Sequence, residues 1–257
     1  MSEELLRFNE VMNGLESGTL RVARKENGTW KVDAQIKEII LSGFRLGRIV
    51  DMSNGLFSFF DKDTFPPRSF SMDDGVRIVP GGSMVRRGAY LAPSVVMMPP
   101  SYVNVGAYVD EGSMIDSNVI VGSCAQIGKH VHLAANCQIG GVLEPAGALP
   151  VIIGDNVFIG GGSGVYEGTI VNDGAVIGAG VSITRSTPVF DVVNAHYITP
   201  NESGQLEIPS NAVVVAGSRP IRRKGAEEEG IHVYLPVIVK YRDDKTSAAV
   251  SLEEALR

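Results

Sequence analysis

The chain has 257 residues, of which 44% are hydrophobic, and its formal net charge at pH 7 is −6. An acidic balance argues against nucleic acid as a partner, and no apolar run approaches the roughly 18 residues of a membrane span. The first ten residues, MSEELLRFNE, are acidic and lack the apolar segment of a signal peptide. We therefore expect a cytoplasmic protein whose partners include neither a nucleic acid nor a membrane.

Two helices are predicted within the first 47 residues. Apolar residues recur at the three- to four-residue spacing of a helix from Leu5 to Leu15, and Ser17-Gly18 ends this segment. A second amphipathic helix is predicted from Val32 to Phe44, with Asp33 as its N-cap.

A hairpin and an aromatic linker complete the predicted N-terminal part. Residues 19–32 have the pattern of a short hairpin with Asn27-Gly28 as its turn. Residues 48–74 form a linker whose aromatic side chains are expected to pack as a plug on the start of the repeat region that follows. These side chains are Phe57, Phe59, Phe60 and Phe65. Residues 1–74 are therefore predicted to form a helical cap domain.

A repeat of six residues dominates the chain from Val79 to Ile183. Neither a helix, with its period of about 3.6, nor an ordinary strand, with its period of about 2, gives such a pattern. The repeat predicts a mainly β fold, a parallel β-helix in which three hexads close one triangular coil and about six coils stack. The periodicity alone leaves the hand of the coil open. The aliphatic or methionine positions are Val79, Val85, Leu91, Met97, Val103, Val109, Ile115, Val121, Ile127, Leu133 and Ile139, then Ile153, Ile159, Val165, Val171, Ile177 and Ile183.

Two breaks in the repeat predict loops that leave the prism. Residues 144–150 interrupt it because Ile139 and Ile153 are 14 residues apart, two more than two hexads. Residues 188–210 form a longer excursion, after which the repeat is expected to resume at Asn211. Loops of this kind carry function more often than the scaffold does. The β-helix domain is therefore assigned to residues 75–218.

Residues 219–257 are predicted to form a small C-terminal extension. Residues 231–241 are predicted to be a strand or a hairpin arm. A short terminal helix is predicted from Ser251 to Arg257, because Ser251 and Glu254 have the spacing of a capping box.

The hexapeptide coils resemble a large superfamily of acyltransferases that use acyl-CoA or acyl-carrier protein and work as trimers. The resemblance sharpens in residues 103–145, VNVGAYVDEGSMIDSNVIVGSCAQIGKHVHLAANCQIGGVLEP, and in residues 150–160, PVIIGDNVFIG. These stretches are similar to the 2,3,4,5-tetrahydropyridine-2,6-dicarboxylate N-succinyltransferase family, and the likeness extends over nearly the whole chain. It implies a left-handed coil, a homotrimer and active sites in the grooves between neighbouring prisms. It also implies succinyl transfer from succinyl-CoA to tetrahydrodipicolinate in diaminopimelate and lysine biosynthesis.

This resemblance selects candidate residues for catalysis and substrate binding. Asp116 matches the family's key aspartate, and a carboxylate there can orient the acceptor amine and accept its proton. An aspartate at a corner also commonly caps its own turn. Arg77 lies where the family has a substrate arginine, and Arg86 is a second candidate. A guanidinium suits this role because its planar fork binds a carboxylate through two hydrogen bonds.

Two departures from the family pattern bear on the substrate. The family commonly has Thr-Trp where this chain has Ser117-Asn118, and its stretch A-R-S-E-V-V-E-G reads GGSGVYEG at residues 161–168. Gly164 replaces the first acidic residue, a catalytic candidate, so Glu167 is the acidic residue left for that role. The open alternatives are acetyl-CoA as donor, another amino dicarboxylate as acceptor, as in tabtoxin-type pathways, and a trimeric scaffold without activity.

The acyl-CoA co-substrate needs a groove for its pantetheine and positive charge for its phosphates. A basic run supplies the phosphate candidates, with a solvated tail segment as the alternative. The glycine-rich stretch at 159–164 offers Gly160 and Ser163 as CoA contacts, although at hexad spacing it is also typical of corner geometry. The basic candidates are Arg219, Arg222, Arg223 and Lys224.

Histidines raise a different possibility. His130 and His132 are predicted at corner or outward positions of neighbouring strands, where a histidine serves as a general base or is merely solvated. A carbonic-anhydrase-like hexapeptide protein needs three histidines that bind zinc at subunit interfaces. No third histidine lies about a coil away, so we expect no metal.

Overall fold

The computed structural model describes residues 2–243, so the predicted helix Ser251–Arg257 lies outside the described residues. Within them the fold is mainly β, as predicted: a left-handed parallel β-helix with a helical N-terminal domain and a small C-terminal extension. Neither helix in residues 2–243 is long and apolar enough to cross a membrane.

The N-terminal domain contains the two predicted helices, the hairpin between them and a second hairpin. Asp33 caps the second helix, because its carboxylate accepts a hydrogen bond from the Ile36 N–H at 3.2 Å. Asn27 and Gly28 have φ angles of 49° and 84°, and a two-residue hairpin turn requires such positive values. The elements are α1 (Glu3–Glu16), β1 (Ala23–Glu26), β2 (Thr29–Val32), α2 (Ala34–Leu46), β3 (Ile49–Asp51) and β4 (Phe60–Lys62), and a 3-10 helix follows at Met72–Asp74.

The aromatic linker packs differently from the prediction. Phe57 and Phe60 are 63% and 65% exposed on the antiparallel hairpin β3–β4. Phe65 is the buried one of the four aromatic residues, and its ring centroid lies 5.5 Å from that of Phe8 and 4.2 Å from that of Phe44. The plug therefore closes the core of the helical domain rather than the first coil, because α1 and α2 present the apolar face that Phe65 fills.

Short strands then recur at six-residue spacing and stack into three sheets of parallel strands. The first sheet takes every third strand from β5 to β20 and then β25, the second takes every third strand from β6 to β21, and the third takes every third strand from β7 to β19 and then β24. The strands are β5 (Arg77–Ile78), β6 (Met84–Val85), β7 (Tyr90–Leu91), β8 (Val96–Met97), β9 (Tyr102–Val103), β10 (Tyr108–Val109), β11 (Met114–Ile115), β12 (Ile120–Val121), β13 (Gln126–Ile127), β14 (His132–Leu133), β15 (Gln138–Ile139), β16 (Ile152–Ile153), β17 (Phe158–Ile159), β18 (Gly164–Val165), β19 (Thr169–Val171), β20 (Val176–Ile177), β21 (Ser182–Ile183), β24 (Leu206–Ile208) and β25 (Ala212–Pro220).

The predicted columns point into the prism. Paired strands are 18 residues apart, as three hexads require; Ile115, for example, pairs with Leu133. The first coil differs, because Ile78 rather than Val79 pairs with Met97. One additional residue separates these two strands, so Val79 was wrong as a column position. The central column residues, none more than 1% exposed, are Val103, Val109, Ile115, Val121, Ile127, Leu133 and Ile139.

Both breaks in the repeat are insertions at corners. Gln126 pairs with Ile152, 26 residues later rather than 18, so eight extra residues leave the prism between β15 and β16. The interval from Ile139 to Ile153 thus holds one hexad and a loop, and not the two hexads expected. After the second break, β24 already pairs with β19. The coil therefore resumes at Leu206, before Asn211.

The second excursion and the C-terminal segment extend the first sheet. The excursion contains an antiparallel hairpin of β22 (Val189–Asp191) and β23 (His196–Ile198). The predicted strand at 231–241 is present as β26 (His232–Tyr241), which pairs antiparallel with β25 and parallel with β22. We call the hairpin β25–β26 the C-terminal arm.

The N-terminal domain covers the outer face of the third sheet. Ile152 and Ile170 of that face are buried against Trp30 of the first hairpin. Residues on the outer faces of the other two sheets, such as Arg77 and Ile120, are exposed. The accessible surface of the prism therefore lies on the first and second sheets and at their corners.

Candidate functional site

Asp116 and His132 lie side by side at the corner between the first and second sheets. Asp116 directly follows Ile115, as its predicted place at a corner requires. Its Oδ1 accepts a hydrogen bond from the Ser117 N–H at 2.7 Å, and its Oδ2 lies 3.8 Å from Nε2 of His132. The sequence contained the signal for this pair. Ile115 pairs with Leu133 in the next coil, so Asp116, which follows Ile115, lies near His132, which precedes Leu133.

The two nitrogens of His132 lie in different environments. Nε2 is buried and has no hydrogen-bond partner within residues 2–243, whereas the side chain as a whole is 43% exposed. The ring meets Phe158 of the next coil edge to face, with centroids 5.3 Å apart. A carboxylate and an imidazole placed in this way can hold and move a proton.

Arg77 lies on the same sheet, nearer its start. β5, β8 and β11 are consecutive neighbours in the first sheet, so Arg77 lies two strand spacings, roughly 10 Å, from Met114. Arg77 is exposed. The structure thus brings Arg77, Asp116 and His132 to one accessible side of the prism.

Glu167 lies at another corner, between the second and third sheets. It is exposed and lines an open cleft of about 730 Å³. Trp30, Glu144 and Arg185 also line this cleft. Because Asp116 and Glu167 project from different corners, one prism does not bring the two candidate carboxylates to a single substrate.

Lys37 holds the loop that walls the Glu167 cleft. Its Nζ donates a hydrogen bond to the carbonyl oxygen of Ala148, in the inserted loop, at 2.6 Å. Lys37 is fully buried, and this burial lowers the pKa of its ammonium group. The contact joins residues 111 apart in the chain, so local sequence pattern could not reveal it.

Gly164 lies beneath the ring of Tyr166. A Cβ atom on Gly164 would stand 2.5 Å from Cε2 of Tyr166, closer than any real contact. The Tyr166 hydroxyl donates a hydrogen bond to Oε1 of Gln138 at 2.9 Å, which fixes the ring over the glycine. The space of the family's acidic side chain is therefore filled by an aromatic ring, a relationship that the spacing of two residues on a strand could have suggested.

Arg86 is used within the chain. Its guanidinium donates a hydrogen bond to Oδ2 of Asp61 at 2.6 Å and lies over the rings of Phe44 and Phe65. The side chain is only 15% exposed. We therefore do not carry Arg86 forward as a substrate ligand: the structure places it between the prism and the helical domain, with its charge already paired.

The glycine-rich stretch at 159–164 has corner geometry. The Ser163 hydroxyl is buried, donates to the Gly178 carbonyl at 2.7 Å and accepts from the Val181 N–H at 3.2 Å. A Cβ on Gly160 would stand 2.5 Å from the backbone nitrogen of Ala179 in the next coil. The Ser163 hydroxyl is thus used in coil stacking and is not accessible to CoA, and Gly160 lies against the backbone of the next coil.

The basic candidates lie beyond the prism. Arg219 is at the end of β25, and Arg222, Arg223 and Lys224 follow in the connection to β26. All four are exposed. The acidic run at 227–229 belongs to the same connection, so the local charge is mixed.

Comparison with known proteins places the chain in a family. Residues 2–46 match the model described as Tetrahydrodipicolinate N-succinyltransferase N-terminal, and residues 150–185 match the Hexapeptide repeat of succinyl-transferase. The chain is 44% identical to the 2,3,4,5-tetrahydropyridine-2,6-dicarboxylate N-succinyltransferase of Legionella pneumophila (strain Corby), over 100% of this chain and 90% of that protein. It is 46% identical to the protein of the same name from Paraburkholderia phymatum, over 95% and 86% of the two chains.

A solved structure of a putative 2,3,4,5-tetrahydropyridine-2-carboxylate N-succinyltransferase from Campylobacter jejuni is 14% identical, with a TM-score of 0.45, and the match covers 98% of this chain and 64% of that one. The assignment to a family rests on the curated relatives, whose identity to this chain extends over nearly the full length of both proteins. The chain therefore belongs to the 2,3,4,5-tetrahydropyridine-2,6-dicarboxylate N-succinyltransferase family, a family of acyltransferases.

Proposed function

We propose that this protein transfers the succinyl group of succinyl-CoA to tetrahydrodipicolinate. With one water, the products are N-succinyl-2-amino-6-oxopimelate and CoA, in the succinylase route to diaminopimelate and lysine. The observation that carries the proposal is 44–46% identity to relatives of that name over at least 95% of this chain.

The accessible corner at Asp116 supports this choice of substrate. The acceptor is a dicarboxylate, and the exposed Arg77 offers a guanidinium to one of its carboxylates. Asp116 and His132 then lie beside the reacting amine. Transfer requires a neutral amine, so a group that takes up its proton at this corner is what the chemistry needs.

A homotrimer would complete the site. Asp116 and Glu167 lie at different corners of one prism, so they can meet at one substrate only if neighbouring prisms contribute one corner each. Succinyl-CoA would lie in the groove between prisms, and Arg219, Arg222, Arg223 and Lys224 are the candidates for its phosphates.

A complementation experiment tests this shared site. Asp116→Asn and Glu167→Gln are each prepared alone and then co-expressed with different affinity tags, so that mixed oligomers can be purified. If the two carboxylates come from different subunits, some sites of a mixed oligomer carry both native residues, and activity returns. A sedimentation measurement that gives a stable monomer, or mixed oligomers as inactive as the parents, contradicts the shared site.

The activity itself is tested by thiol release. Succinyl-CoA and acetyl-CoA are each offered with tetrahydrodipicolinate and with a small set of other amino dicarboxylates. We expect release with succinyl-CoA and tetrahydrodipicolinate, and a higher KM for the acceptor in Arg77→Ala. Arg7→Ala is the matched control, because Arg7 is also an exposed arginine but lies on α1 in the N-terminal domain.

One observation favours a second candidate. Gly164 lacks the carboxylate of the family pattern, and the Tyr166 ring lies in its place. A different groove shape would suit acetyl-CoA or another amino dicarboxylate, and the same assay separates the two: faster thiol release with any of these pairs than with the family pair makes the second candidate correct.

A further inference from the structure

The pair of Asp116 and His132 carries an inference about how the acceptor amine loses its proton. The sequence suggests that Asp116 itself takes this proton. In the structure, however, Oδ1 of Asp116 is already held by the Ser117 N–H, and Oδ2 faces Nε2 of His132 across 3.8 Å. This distance is somewhat longer than the roughly 2.7–3.2 Å between the heavy atoms of an N–H···O hydrogen bond. A small rotation of either side chain closes it.

The buried position of Nε2 decides which nitrogen carries hydrogen. A buried polar atom without a partner is costly, and Nε2 is such an atom within residues 2–243. The carboxylate of Asp116 can accept a hydrogen bond but not donate one. Nε2 satisfies both requirements when it carries the proton and donates to Oδ2. The lone pair of the neutral ring then lies on Nδ1.

We propose that His132 is the general base of the reaction and that Asp116 is its positioning residue. This inference rests on the proposed acyl transfer. The amine lone pair attacks the thioester carbonyl carbon, a C–N bond forms, and the proton of the amine passes to Nδ1 of His132. The C–S bond then breaks, and the CoA thiolate takes the proton from Nδ1, which restores the neutral ring.

The surroundings of His132 fit this role. On its sheet, Met114 lies below it and Phe158 above it, and neither ionises. Within residues 2–243, Asp116 is the acidic residue whose carboxylate lies within ion-pair distance of the His132 ring. Glu111 is paired with Lys129 at 2.8 Å at the corner before β14, away from Asp116. Arg77 lies on β5, three strands away from β14 in the same sheet.

The pH dependence of kcat/KM tests the proposal in the full-length protein with succinyl-CoA and tetrahydrodipicolinate. We expect an acidic limb, because a protonated ring cannot accept the proton of the amine. In His132→Gln the rate should fall by roughly 10²–10⁴-fold, the range for loss of a general base, and this limb should vanish. Added imidazole should restore part of the activity of His132→Ala, because the side chain is accessible. In Asp116→Asn the rate should fall but the acidic limb should persist, because His132 remains as the base.

Controls separate a chemical role from a structural one. His130→Asn changes a neighbouring corner histidine whose φ of 53° an asparagine accepts, and its profile should match that of the native protein. If His132→Gln keeps the acidic limb, or if it loses activity and imidazole does not rescue His132→Ala, the proposal is overturned. Absence of thiol release from the native protein would instead count against the proposed function. An independent readout remains in that case: ¹⁵N NMR of the imidazole rings should give the Nε2–H tautomer for His132, and an Nδ1–H tautomer overturns the proposal.

Discussion

The ring of Tyr166 covers the Cα of Gly164, and its hydroxyl is tied to Gln138 at 2.9 Å. The residue that lacks a side chain and the residue that fills its space lie two positions apart. The missing carboxylate is therefore not an empty gap in the second sheet. Any side chain introduced at position 164 must first displace the ring.

Two variants test which residue supplies an acidic group besides Asp116. Glu167→Gln should lower turnover with succinyl-CoA and tetrahydrodipicolinate if its carboxylate contacts the substrate held at Asp116 of a neighbouring prism. Gly164→Glu should give no gain, because the Tyr166 ring occupies the required space. Steady-state thiol release measures both, with the exposed Glu202→Gln as the control.

The outcomes of this pair have distinct meanings. A large gain in Gly164→Glu would mean that the glycine has altered the substrate preference of the chain. If neither variant changes turnover, no second carboxylate is needed, and the assignment of Glu167 fails.

The interior columns predict a severe effect of charge in the core. Ile127 is fully buried, so Ile127→Asp buries an unpaired carboxylate and should lower the free energy of unfolding by about 3–5 kcal/mol. Denaturant unfolding followed by circular dichroism measures the change. Val192→Asp, at a position 53% exposed on the β22–β23 hairpin, should change little; equal losses in the two variants would contradict the assigned register.

Lys37 predicts a coupling between the helical domain and the cleft. Lys37→Met removes the hydrogen bond to the Ala148 carbonyl but also removes a buried charge, so the two effects on stability offset each other in part. We expect faster amide hydrogen exchange in residues 140–151 and a lower kcat/KM, with a small change in melting temperature. Lys25→Met, at an exposed position of the first hairpin, is the control. Unchanged exchange in the loop would show that other contacts hold it.

Asp191 predicts acid sensitivity of the C-terminal arm. Burial alone would raise the pKa of its carboxyl, but hydrogen bonds from Tyr241, Asn194 and the backbone N–H of Val193 prevail and lower it. Burial, followed by the bond to Asp191, also raises the pKa of Tyr241 to about 12. Because the folded pKa of Asp191 is depressed, its stabilising effect is complete above the ordinary value of 3.8 and is lost as the pH falls through the folded pKa.

Tyr241→Phe tests this linkage. It removes one hydrogen bond to a charged group, worth about 1.5–3 kcal/mol, and raises the pKa of Asp191 in the folded state. Melting temperatures measured between about pH 5 and pH 2 should then fall by less on acidification than those of the native protein, because less of the stability depends on the ionised carboxylate. Tyr197→Phe, on the exposed side of the β22–β23 hairpin, should leave the pH profile unchanged. Identical profiles for the native protein and Tyr241→Phe would exclude the network as the source of acid sensitivity.

The sequence predicted the repeating part of the fold because one physical rule applies to each hexad. A narrow bore admits one bulky side chain per face, so Ile115, Val121 and Ile127 had to point inward. The rule failed at Val79, where one extra residue before β8 shifts the register of the first coil. It also gave two hexads between Ile139 and Ile153 where the structure has one hexad and a loop. The number of residues alone cannot distinguish a longer loop from an additional hexad.

The site was predictable only where it depends on neighbouring coils. The corner position of Asp116 follows from Ile115, and its proximity to His132 follows from the 18-residue step. The pairing of Arg86 with Asp61 is different, because the linker that carries Asp61 folds back without any repeat to guide it. The expected role of Ser163 failed for a related reason. The glycine-rich sequence is the same whether the Ser163 hydroxyl points to a ligand or to the next coil.

The reversal of chain direction in the C-terminal arm bears on self-association. A stack of parallel strands ends in edges whose free N–H and C=O groups can template fibrils. At one end of the first sheet, β26 runs antiparallel to β25 and the edge strand β23 runs antiparallel to β22, so the sheet does not end there in a strand of the parallel ladder. At the other end of the prism, the Arg68 N–H donates to the Val85 carbonyl of β6, which begins the second sheet, and the neighbouring Pro67 has no N–H to offer. Light scattering during storage should therefore detect no end-to-end filaments, and a deletion of the arm should be the change that produces them.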